Sequence, residues 1–224
     1  MRVPSPDRED WKPVENRPLP NIAVLISGRG SNLRAIVSAV RAGALRANVA
    51  LVLSNRADAA GLDYARAEGL TAVVLKHGDF ASREAYDMAL VQELRRHDVS
   101  LVCLAGFMRQ LGAGFCEAFP NAVLNVHPSL LPSFPGLHAQ RQALAHGVIL
   151  SGATVHFVWP ELDAGPILMQ AAVPVLPNDT ESSLSARILH EEHRLYPSAI
   201  QLVLNGGWRI EGRRVIANGP VTLR

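Results

Sequence analysis

Cysteine is scarce in this chain of 224 residues: Cys103 lies in an apolar run and Cys116 in a helical stretch. Two thiols cannot build a disulfide framework, and no second pair stands at metal-ligand spacing, so buried thiols in a reducing cytoplasm are expected. The eight histidines include no His-x-x-x-His helix, which argues against a metal. Charge of one sign is also missing, with 22 Lys plus Arg against 20 Asp plus Glu. That balance gives no electrostatic reason for nucleic acid or a membrane as partner and leaves a small anionic ligand open. Long apolar runs are absent, since none approaches the roughly 20 residues that span a bilayer. The polar stretch Met1–Pro20 lacks the apolar segment of a signal peptide and reads as a disordered tail. Internal repeats and heptad arrays are absent as well. What remains, residues 21–224, is the right length for one well-buried domain.

What is present is alternation. Short apolar runs at Ile22–Ile26, Val49–Leu53, Ala72–Leu75 and Leu101–Leu104 are separated by helical patterns at Leu33–Ala42, Ala59–Glu68 and Ser82–Arg96. Repeated β-α-β units connect by right-handed crossovers, so the expected fold is α/β, a doubly wound, mostly parallel sheet with helices on both faces. Ligands of such sheets sit at the carboxyl ends of the strands. A further run at Ala122–Val126 leads into His127–Gly136, which is too rich in proline for regular structure. Beyond it, Gln140–His146 reads as a short helix, and Gly152–Val158 and Pro166–Val175 as strands paired around a turn at Trp159–Gly165. Leu184, Ile188, Leu195, Ala199 and Leu202 recur at helical spacing behind a cap at Asp179 or Thr180. The C-terminal part thus adds antiparallel strands, a long helix and two short final strands.

Three segments carry chemistry. Gly28-Arg29-Gly30-Ser31-Asn32 joins a strand to a helix, where free backbone amides and the helix dipole favour an anion. It fails as a dinucleotide fingerprint, because Leu33 replaces the third glycine and Ser54-Asn55-Arg56 supplies no ribose-binding acid. A monophosphate fits better; a plain turn with Ser31 as helix cap is the alternative. Asn125 and His127 lie two apart at a strand end, so both side chains share one side. An amide and an imidazole there can hydrogen-bond a developing oxyanion, as acyl transfer requires, or can merely satisfy loop carbonyls. Glu161-Leu162-Asp163-Ala164-Gly165-Pro166 holds two acids in a turn, either solvated or brought against His127, where a carboxylate favours a protonated imidazole. His190 and His193, on the long helix, read as surface or substrate-facing groups.

Together, Gly28–Asn32, Ala105-Gly106-Phe107-Met108-Arg109, Asn125-Val126-His127-Pro128-Ser129-Leu130-Leu131-Pro132, Pro135-Gly136 and Glu161-Leu162-Asp163 resemble the phosphoribosylglycinamide formyltransferase family, in that family's order and over about residues 21–208. The resemblance implies transfer of a formyl group from 10-formyltetrahydrofolate, a co-substrate, to the amine of glycinamide ribonucleotide in purine biosynthesis. It implies small-molecule partners only, no metal, and a monomer or homodimer. Asn125, His127 and Asp163 match the catalytic residues, with Asp163 orienting His127 and His127 and Asn125 holding the tetrahedral oxyanion. Gly30, Ser31 and Asn32 match the phosphate cradle and Glu192 the ribose contact. Arg83, Met108, Arg109, Gln110, Leu111, Asn125 and the loop Trp159, Pro160, Glu161, Leu162 and Asp163 match the folate side.

Three departures stand out: the tail, Gln110 where an aliphatic residue is usual, and Trp159-Pro160 where smaller or polar residues are common. The related formyltetrahydrofolate hydrolase and methionyl-tRNA formyltransferase share the Asn-x-His-Pro segment. The hydrolase usually carries an N-terminal regulatory domain, and the tRNA enzyme a C-terminal domain and a basic surface. Neither is expected of a chain with twenty polar leading residues, balanced charge and an end at Arg224. A non-catalytic nucleotide-binding module would account for the glycine loop but leave Asn125, His127 and Asp163 without a use. The state of the Leu131-Pro132 bond is left open.

Overall fold

The computed structural model describes residues 18–217. The expected tail lies, up to residue 17, outside the described residues. Strand β1 (Asn21–Ile26) shows how the chain covers its sheet. Ile22, Val24 and Ile26 join one apolar cluster while Ala23 and Leu25 join another, all fully buried. A strand points successive side chains to opposite faces, so burial of both sets requires helices on both sides. One face carries α1 (Ser31–Arg41), α2 (Ala60–Ala67), α5 (Ala139–Ala145) and α6 (Glu181–Asn205), through Leu33, Leu62, Ala143 and Ile188. The other carries α3 (Arg83–Arg96) and α4 (Ala113–Ala118), through Leu90 and Phe115.

The remaining strands are β2 (Asn48–Ser54), β3 (Ala72–Val74), β4 (Leu101–Leu104), β5 (Val123–His127), β6 (Leu150–Phe157), β7 (Ile167–Pro174), β8 (Trp208–Glu211) and β9 (Arg214–Ala217). They form a sheet ordered β3-β2-β1-β4-β5-β6-β7-β9-β8. The first five are parallel, and β6 is antiparallel to both β5 and β7. The chain moves outward from β1 to β3 and then returns to place β4 on the other side of β1. That reversal opens a crevice between the ends of β1 and β4. Tyr196 of α6, fully buried, sets its hydroxyl 3.0 Å from the carbonyl oxygens of both Leu104 and Leu124, fastening α6 over β4 and β5.

The expected architecture is present, with local differences. Strand β5 extends to His127 itself, one residue beyond the apolar run, because antiparallel pairing with β6 continues through Thr154. Thr180, not Asp179, caps α6, in a capping box with Ser183. Asp179 instead binds Arg187, whose guanidinium holds that carboxyl well below the usual range. Ser31 is not a helix cap: Gly30 occupies that position, and no side chain bonds the end of α1. Cys103 is buried, as expected, but Cys116 is only half-buried on short α4. Among the described residues no helix is long and apolar enough to cross a membrane.

Candidate active site

The loop after β1 forms the floor of a cavity of about 410 Å³ lined by Ser27–Asn32, Ala105, Gly106, Ser185, Leu189 and Glu192, among others. Gly30 sits at φ +74°, which glycine tolerates and side chains resist. A Cβ there would stand 2.9 Å from the Cα of Gly61, so two glycines let the loop and the start of α2 touch. Gly61 then donates its N–H to the Gly28 carbonyl at 3.0 Å. With Gly30 turned this way, the first N–H groups of α1 lack a side-chain cap at the cavity wall, which suits an anion. Arg29 is the only basic side chain of this lining. Asn32 donates from Nδ2 to Oε2 of Glu192 at 2.7 Å, while its own Oδ1 is buried and unpartnered. Burial pushes the Glu192 carboxyl up to about 7 against that single donor.

A second cavity, about 660 Å³, opens at the ends of β4, β5 and β6. Its polar floor is a set of four side chains from β5, β6 and the turn after β6. His127 is buried, with Nε2 2.8 Å from the Phe134 carbonyl and Nδ1 3.3 Å from Oδ2 of Asp163. A carbonyl only accepts, so Nε2 carries a hydrogen. Nδ1 faces the Asp163 carboxylate across that 3.3 Å. Oδ2 of Asp163 also accepts from Gly136 N–H at 2.7 Å, which fixes the carboxylate from the opposite loop.

Asn125 faces His156 across the β5–β6 pair. Nδ1 of His156 donates to the Phe157 carbonyl at 2.9 Å, leaving Nε2 to accept from Nδ2 of Asn125 at 3.2 Å. Burial holds the His156 pKa below its ordinary value, in keeping with this neutral ring. The amide of Asn125 is thereby oriented, with its second N–H left for a ligand. Phe134, His138 and Asp163 all adopt positive φ, between 49° and 59°. Strained backbone of this kind gathers where a loop must present specific groups. The bond Leu131-Pro132 is cis.

The structure gathers most of the sequence-derived candidates. Gly30, Ser31, Asn32 and Glu192 line the first cavity; Met108, Arg109, Gln110, Leu111, Asn125, His127, Trp159, Glu161, Leu162 and Asp163 line the second. Pro160 contributes its carbonyl, which accepts from Nε2 of Gln110 at 3.0 Å, so two departures from the family pattern bind each other. Arg83 falls outside both linings. It lies 4.0 Å from Asp87, whose carboxylate accepts from Gly112 N–H at 2.7 Å. His127 bonds a loop carbonyl and also lies against Asp163. Sequence reasoning passed over Gly61, Gln140 and His156. His156 shares a strand with alternating apolar neighbours, a pattern that signals burial and conceals chemistry.

A family model described as formyl transferase matches residues 20–200. The chain is 47% identical over 186 residues to phosphoribosylglycinamide formyltransferase of Escherichia coli, covering 83% of this chain and 88% of that protein. The chain belongs to the phosphoribosylglycinamide formyltransferase family. It is also 50% identical over 187 residues to the trifunctional purine biosynthetic protein adenosine-3 of Drosophila melanogaster, 83% of this chain but only 14% of that protein's length. Among solved structures, glycinamide ribonucleotide transformylase 1 from Symbiobacterium toebii superposes with a TM-score of 0.87 at 54% identity, covering 88% of this chain and 93% of that one. The two cavities described above lie within the span matched by the formyltransferase model.

Proposed function

We propose that this protein is a phosphoribosylglycinamide formyltransferase, which moves the formyl group of 10-formyltetrahydrofolate to the amine of glycinamide ribonucleotide in de novo purine biosynthesis. The observation that carries this reading is the buried His127–Asp163 pair, 3.3 Å apart, beside Asn125 at the strand end that borders both cavities. The first cavity takes the ribonucleotide: the amides of Gly30, Ser31 and Asn32 receive its phosphate and Glu192 its ribose. The second takes the folate, which supplies the formyl carbon. Backbone groups from Met108 to Leu111 read its polar ring edge, and the loop from Trp159 to Asp163 covers it. A cavity of about 660 Å³ with apolar walls and a polar floor fits a flat heterocycle of that size.

The free N–H of Asn125 and the imidazole of His127 stabilise the oxygen that becomes anionic as the amine adds to the formyl carbon. His127 exchanges the Phe134 carbonyl for that oxygen, and Asp163 balances the imidazolium charge throughout. The proton lost by the amine passes to the departing folate nitrogen through water held beside Asp163, so charge returns to its starting distribution. We assign Arg83 an indirect part, through Asp87 and the backbone of Gly112. Residues 21–217 act as one domain, the protein works in the cytoplasm as a monomer or homodimer, and neither nucleic acid nor membrane is a partner.

The test is the loss of 10-formyltetrahydrofolate by the purified protein, followed optically with and without glycinamide ribonucleotide. Consumption only with the ribonucleotide, one formylated product per folate, is the expected result. Consumption without it would make the protein a hydrolase and overturn the assignment, as would no consumption in either case.

A further inference from the structure

The two cavities share five lining residues: Gly106, Met108, Val126, Pro128 and Gln140. Four of them have no side-chain N–H or O–H. Gln140 is the exception, placed in the first turn of α5 immediately after Ala139, whose burial anchors that end of the helix. Gln140 is half-buried and its side chain makes no hydrogen bond among the described residues, whereas its neighbour Gln142 is spent on the carbonyls of Pro135 and Leu137. A primary amide with both donor and acceptor functions free therefore stands at the junction between an anion-binding floor and the catalytic floor. In the proposed reaction, the part of the ribonucleotide that crosses this junction is its glycinamide arm, which carries an amide and the nucleophilic amine.

We infer that Gln140 is a specificity-determining residue that binds the glycinamide arm and aims its amine at the formyl carbon, an inference that rests on the proposed formyl transfer. The chemistry matches: the side-chain carbonyl accepts from the arm's amide N–H or from the amine, and the side-chain NH₂ donates to the arm's carbonyl. No other side chain on the shared wall can replace it. A neutral amide is also suited to the task, because it leaves the attacking amine uncharged, where a carboxylate at this position would favour an ammonium.

Gln140→Leu and Gln140→Glu test the inference in the full-length protein, with steady-state kinetics for both substrates and equilibrium binding of a non-reactive folate analogue. For Gln140→Leu, kcat/KM for the ribonucleotide should fall at least tenfold, the effect of one lost hydrogen bond to a substrate at a reacting centre. Folate-analogue affinity should stay within twofold of wild type. Gln140→Glu should also lose rate, with its optimum moved to higher pH because the carboxylate holds a proton on the amine. Ribonucleotide kcat/KM within threefold of wild type in either folded variant overturns the inference, as does an equal loss of folate-analogue affinity. The wild-type protein run alongside separates the failures: if it shows no ribonucleotide-dependent turnover, the formyl-transfer reading itself falls.

Discussion

Asp163, its side chain 9% exposed, and Glu192, buried, each set a carboxylate on the floor of one cavity, and the fold furnishes them very differently. Asp163 receives a backbone N–H from Gly136 and faces His127, with Nε2 of His156 3.7 Å from its other oxygen. Glu192 has only the amide of Asn32 as a hydrogen-bond donor among the described residues, and its carboxyl is pushed up to about 7. The comparison teaches that burial alone does not set what a carboxylate does. The number and charge of its donors decide. In the proposed reaction Asp163 serves as counter-charge to His127, while Glu192 faces the ribose hydroxyls.

The sharpest way to break this contrast is at the catalytic floor. Asp163→Asn and His127→Ala should each lower kcat by on the order of a hundredfold, because they remove the counter-charge or the acid itself. Turnover near wild type in single-turnover assays would remove the pair from the mechanism. Glu192→Gln sharpens the other side through stability. A carboxyl whose folded pKa lies above its unfolded value contributes stability that is complete below the unfolded value, near 4.5, and lost as pH rises through about 7. Wild type should therefore lose on the order of 2–3 kcal/mol between pH 5 and pH 8 from this group, a loss that Glu192→Gln abolishes in urea titrations at the two pH values. Identical pH dependence in the two proteins would contradict it.

Smaller effects follow further from the two carboxylates. His156→Phe deletes the acceptor that orients Asn125, and kcat should drop about tenfold with ribonucleotide KM little changed. A rise in KM alone would mean that the amide keeps its orientation without the ring. Gln110→Leu removes the hydrogen bond to the Pro160 carbonyl beside the second cavity, the one proposed to take folate. Being exposed, that bond should be worth only about a threefold loss of folate affinity by equilibrium titration, with no change in ribonucleotide binding.

Much of this molecule is legible in its sequence wherever a local rule governs the outcome. Strand periodicity alone places Asn125 and His127 on one side of β5, and the glycine-rich turn between β1 and α1 marks a candidate anion site before any contact is known. Glu161 to Pro166 reads as a turn because Asp, Gly and Pro there suit a turn far better than a helix or strand. Two local rules compete at Ser31: it has the chemistry of a helix cap, the alternative left open by the sequence, but the left-handed conformation of Gly30 takes that position and leaves the amides without a side-chain cap.

What only the tertiary structure decided is which of these local pieces meet. Asn32 and Glu192 are 160 positions apart, and their hydrogen bond exists because α1 and α6 cover the same face of the sheet. Asp163 reaches His127 because the turn after β6, which ends beside Leu124 near the start of β5, folds back toward the far end of that strand. Gly61 matters because a loop far upstream needs the space where its side chain would be. Periodicity and turn chemistry act over a few bonds and are written in neighbouring residues. The meeting of distant side chains is set by sheet order and helix packing, and these depend on the burial of the whole apolar core.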